Sequence, residues 1–118
     1  MRVLTLIKYS EQLGEPPASF GAGMAADLPA LDATVTMVES RSLLPTAVAG
    51  AVLRTTGGKA GVVDGPFAEA KELVGGYAIA EVDSFEQAVE AARTFLELSA
   101  RHWPGWTGEA EVRQIADF

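Results

Sequence analysis

Side chains suited to acid–base or ligand-binding chemistry are few in this chain, and three of them crowd one sharp turn. Asp64 opens the segment Asp64-Gly65-Pro66-Phe67, with Glu69 and Lys71 close behind. One reading makes Asp64, Glu69 and Lys71 the polar walls of a pocket, with Asp64 as a general base. That role requires burial to raise its pKa and a proton source within hydrogen-bond reach. Turn chemistry alone also accounts for these residue types. Gly65 allows backbone angles closed to other residues, Pro66 fixes the next φ, Phe67 plugs an apolar pocket, and Asp64 bonds nearby amides. The single histidine, His102, is the second catalytic candidate. At a helix C-terminus its imidazole also simply suits the dipole. Arg41 and Tyr77 join Asp64, Glu69 and Lys71 as candidate ligand-binding residues. Trp103 and Trp106, flanking Pro104 and Gly105, suit a subunit interface or an apolar ligand pocket. Arg113 either meets a ligand carboxylate or pairs with Glu111 or another neighbour.

Other chemistries find little support. With no cysteine there is no disulfide, thiolate nucleophile or thiolate metal site, and one histidine makes no multi-histidine centre. No metal site and no cofactor is expected. Gly57-Gly58-Lys59 lacks the spacing of a phosphate loop and reads as a hairpin turn. No Asp-x-Asp-x-Asp loop suggests calcium. Nine basic against sixteen acidic residues give a formal charge of −7, which argues against nucleic acid as a partner. The apolar start Val3–Ile7 runs directly into Lys8, too short for a signal or membrane segment, so a cytoplasmic protein is the expectation.

The elements that must position these residues follow from periodicity. The chain's 118 residues suit a single domain spanning 1–118. Residues 2–9 read as a strand with Val3, Thr5, Ile7 and Tyr9 on one face, Leu4 and Leu6 on the other. Residues 17–33 repeat Phe20, Met24, Leu28 and Leu31 at helical spacing, with Pro29 expected to kink or divide the helix. A strand over 34–39, an irregular connection over 40–50 and a hairpin around Gly57-Gly58 follow. Another strand spans 76–82. Ser84 and Gln87 then form a capping box for a helix whose stripe is Phe85, Ala88, Val89, Ala92, Phe95 and Leu96. Residues 102–108 read as a loop and 110–115 as the last strand. The order β-α-β, hairpin, β-α-β predicts an α+β ferredoxin-like fold, one antiparallel sheet with helices on one face.

The nine residues Asp64-Gly65-Pro66-Phe67-Ala68-Glu69-Ala70-Lys71-Glu72 resemble the signature of the DGPF branch of the YCII-related family. Leu73-Val74-Gly75-Gly76-Tyr77, Leu43-Leu44-Pro45 and the ending Glu109–Ile115 are similar to further stretches of that family. The resemblance is tight from about residue 51 onward and looser before it. It implies a dimeric α+β barrel, in which the open sheet face packs on a second copy. The two apolar faces of residues 3–7 suit the same homodimer. The sequence departs from the family at Arg41-Ser42-Leu43, where many relatives have Gly-Glu-Gly-Leu, and in its Ala-rich first helix. The His–Asp pair of catalytically active relatives has no counterpart at the expected position. The resemblance implies either a cofactor-independent small-molecule lyase, isomerase or ligand-binding protein, or a non-catalytic accessory module. The latter expectation rests on the family's frequent gene neighbours, sigma factors, and an acidic surface suits a basic protein partner.

Overall fold

The structure is a computed structural model that describes residues 1–9, 13–63 and 73–117. Asp64, Glu69 and Lys71, with the turn they belong to, lie outside those residues.

The chain runs β1 (Arg2–Tyr9), α1 (Phe20–Asp32), β2 (Thr36–Ser42), α2 (Thr46–Ala49), β3 (Val52–Thr56), β4 (Lys59–Val63), β5 (Leu73–Glu81), α3 (Phe85–His102) and β6 (Gly108–Gln114). Four strands form an antiparallel sheet in the order β2-β5-β1-β6, and β3 pairs only with β4. This is the ferredoxin-like α+β arrangement, with the β3–β4 hairpin as an insertion before β5. Two consecutive glycines of positive φ, Gly57 and Gly58, turn that hairpin (φ 61° and 82°). Such a two-residue turn matches the twist of the paired strands.

Packing explains which expectations hold. Ser84 Oγ accepts from the Gln87 amide, Gln87 Oε1 accepts from the Asp83 amide, and Gln87 Nε2 donates to the Thr34 carbonyl. The expected cap thus starts α3 and also ties it to the turn before β2. Val3, Val82 and Ala88 form one core cluster, joining β1 to α3. Met24, Leu31 and Leu98 form a second, between α1 and α3. Phe85, assigned to the buried stripe, is 37% exposed.

Several boundaries differ from the sequence reading, three of them for evident physical reasons. Helix α1 is continuous through Pro29, because the proline lies in the last turn and its carbonyl accepts the closing bond from the Ala33 amide. Strand β2 begins later and ends later than 34–39. Thr34 Oγ1 bonds back to the Leu31 carbonyl, so residues 33–35 finish the helix turn. The polar run Ser40-Arg41-Ser42 stays in the strand because β5 offers Ala78, Tyr77 and Gly76 as partners. Residues 46–49, within the connection read as irregular, form the short helix α2.

The far face of the sheet carries Leu4, Leu6, Tyr77 and Ile79, and no described helix covers it. The hairpin and α2 leave Leu44, Val48, Leu53 and Val62 well exposed. The radius of gyration, 16.0 Å, exceeds the roughly 13.5 Å of a compact domain this long.

Candidate functional site

A cavity of about 380 Å³ lies between the helices and the sheet. That size falls within the range of small-molecule sites. Its origin is legible in the facing rows of residues. The row of β5 that meets the helices is Gly76, Ala78 and Ala80, and α3 answers with Ala88, Ala91, Ala92 and Ser99. Small residues on both walls leave a void that no bulky side chain fills. Helix α1 leans on α3 rather than on the sheet, and roofs the void with Met24 and Leu28. Trp103 and Trp106 close one end. Trp106 is buried beside Tyr9, ring centroids 6.2 Å apart, and Trp103 meets Phe20 edge-on at 5.5 Å. The two indoles therefore line this cavity.

The floor depends on two irregularities in the sheet. In β2 the register shifts between Met37 and Glu39, leaving Val38 as the extra residue. Strict alternation from Met37 would aim Glu39 and Arg41 into the cavity, since side chains two apart share a face. The extra residue inverts this, and Ser40 and Ser42 face the cavity instead, beside Ala78 and Gly76. In β5 the shift leaves Gly75 without a partner on β1, and the Tyr9 ring lies where a Cβ would be. Only glycine admits the ring there.

Of the candidate ligand-binding residues, Arg41 and Tyr77 are brought together as register partners, at the margin of the cavity and aimed at the open face. Partial desolvation, then the Glu39 carboxylate as bonding partner and negative charge, holds the Tyr77 phenol above its ordinary pKa; Arg41 opposes the rise. Glu39 is the member of this group that sequence reasoning missed. Its alternation with Met37 gave no sign of the bulge. Arg113 Nη1 lies 3.7 Å from Glu111 Oε2, the expected neighbour pairing. Tyr77 and Arg113 lie on strands separated by β1.

His102 is the last residue of α3, not part of a loop. Its Nε2 lies 2.6 Å from Asp27 Oδ2 on α1, and Arg101 Nη1 is 3.9 Å from the same oxygen. The ring rests on Gly23, where a Cβ would collide with Nδ1. The pair clamps α1 to α3 but is not part of the cavity wall. No cluster suited to a metal ion occurs among the described residues.

Comparison with known proteins fits this architecture. The YCII-related domain matches residues 1–118. The chain belongs to the YCII-related domain family. Over 74 residues this YCII-related domain is 38% identical to Uncharacterized protein R00369 of Rhizobium meliloti (strain 1021), a stretch covering 63% of the chain and 55% of that relative. The match therefore spans about half the length of that curated relative. No described helix of the YCII-related domain is long and apolar enough to cross a membrane.

Proposed function

We propose that this YCII-related domain, as a member of the DGPF branch, binds a small and largely apolar molecule between α1, α3 and the sheet. The observation that carries the reading is the cavity itself. Two rows of small residues face each other across about 380 Å³, under a roof of Met24 and Leu28. Packed interiors seldom leave such space, because voids forfeit contacts on every wall. The nine residues 64–72 support the branch assignment by their likeness to its signature. Ligand binding is favoured over catalysis because the one His–Asp pair described serves the helix packing outside the cavity.

Saturation-transfer NMR with naphthalene as the probe tests the reading. The wild-type chain should transfer magnetisation to naphthalene. Ala78→Leu, which fills the floor, should abolish that transfer while keeping the melting temperature at or above wild type. Transfer that persists undiminished in Ala78→Leu would place the binding elsewhere.

A further inference from the structure

We infer that the cavity selects an uncharged, flat molecule carrying a hydroxyl or carbonyl group along one edge. The inference rests on the ligand-binding reading above and gives it a chemical class.

The floor and the roof of the cavity differ in kind. Thr5 on β1 and Ser40 on β2 both pair with Ala78, so their side chains flank that small residue on the cavity side. Ser42 stands two residues along β2, opposite Gly76. These three hydroxyls form a short row, and none makes a hydrogen bond to another described residue. By contrast, Thr34 Oγ1 and Ser99 Oγ are bonded to the carbonyls of Leu31 and Phe95. The roof and ends are hydrocarbon and aromatic: Met24, Leu28, Phe95 and Trp103. A molecule lying in this space meets donors and acceptors along its lower edge and apolar surface above.

Charge is kept out by construction. The bulge at Val38 turns Glu39 and Arg41 to the opposite face and leaves serines in their stead. Among the described lining residues only Asp32 and Arg41 are charged, and Arg41 Nη1 is engaged with the Ser40 carbonyl at 3.1 Å. An ionised ligand lying deeper than the Arg41 margin would lose hydration without a matching partner. A neutral hydroxyl or carbonyl finds a partner in the row. The Trp103 and Phe95 rings in the lining offer flat apolar surface, which favours planar rings against them.

Three probes of one shape separate the possibilities: naphthalene, 2-naphthol and 2-naphthoate, each titrated by protein-observed NMR at neutral pH. The expected order is 2-naphthol about 2- to 10-fold tighter than naphthalene, the range of one neutral hydrogen bond, with 2-naphthoate weakest. Ser40→Ala, Ser42→Ala and Thr5→Val should erase the 2-naphthol advantage in combination while leaving naphthalene within about twofold. Should the triple variant not fold, Ser40→Ala and Ser42→Ala, at exposed strand positions, carry the same comparison singly. Equal affinity for naphthalene and 2-naphthol would overturn the hydroxyl row and leave the cavity reading standing. So would an advantage that survives the serine variants. Tightest binding by 2-naphthoate would overturn the exclusion of charge. Binding by none of the three removes the cavity reading itself, and this inference with it.

Discussion

Tyr77, Glu39 and Arg41 occupy adjoining positions on the open side of β5 and β2, where Glu39 and Arg41 pull the Tyr77 phenol in opposite senses. The raised pKa of Tyr77 means that the folded chain favours the neutral phenol. Its contribution to stability is complete below the unfolded value and is lost as pH climbs through the folded one. Glu39→Gln removes the charge and leaves only a neutral acceptor, so the Tyr77 titration should move down toward 10.0. Arg41→Ala should move it further up. Carbon-13 NMR of the tyrosine Cζ reads both shifts directly. Glu111 behaves in the opposite sense: the Lys8 ammonium, 2.6 Å away, holds its carboxyl below the ordinary range. Its contribution is present above the unfolded carboxylate value and fades as pH falls through the folded one. Sequence reading picked out Arg41 and Tyr77, residues the sheet does bring together. It missed Glu39, because one extra residue in a strand reverses every later side chain and leaves no mark in composition.

Helix α1 is held from one side only, which makes its clamp to α3 consequential. Its small-residue surface gives it a weak amphipathic character, while α3 has a strong apolar stripe. The His102–Asp27 bond and the close seat of the ring on Gly23 compensate by tying α1 to α3. His102→Ala should therefore loosen α1 selectively. Removing one such bond costs about 1 kcal/mol, so amide exchange across residues 20–32 should quicken about fivefold. Protection of α3 over 88–98 should be unchanged. Equal loss of protection in both helices would show that His102 supports the whole fold rather than α1's position. Helix α3 was legible because Ser84 and Gln87 are local signals, three residues apart. The end of β2 was not, since Ser40-Arg41-Ser42 looks like a loop until Gly76–Ala78 pair with it. Pro29 misled for a related reason. Its missing N–H costs a bond, but only three helical residues follow it, so little of the helix is left to kink or divide.

At the scale of the molecule, one layer has two helices behind it and nothing described in front. Leu4, Leu6, Tyr77 and Ile79 form an apolar centre on that open face, edged by the Arg2–Glu81 and Lys8–Glu111 pairs. Leu53 and Val62 on the projecting hairpin are more than 60% exposed. We propose a second copy as the cover for both, in keeping with the two-sided apolarity of β1. Light scattering at micromolar concentration should return about twice 12.4 kDa, and Leu6→Glu should return the single-chain mass. A single-chain mass for the wild type would refute the pairing. The layer order was legible because element type and order were. The cavity was not, since Gly76, Ala78, Ala88 and Ala92 look like ordinary small residues until the strand and helix face each other.

Amide chemical shifts recorded while naphthalene is added report where the molecule lies. With the cavity as the binding site, the largest changes should fall on Ser40–Ser42, Gly76–Ala80 and the Trp103 and Trp106 indoles. Changes concentrated on Leu4, Leu6 and the hairpin, with the cavity silent, would contradict it.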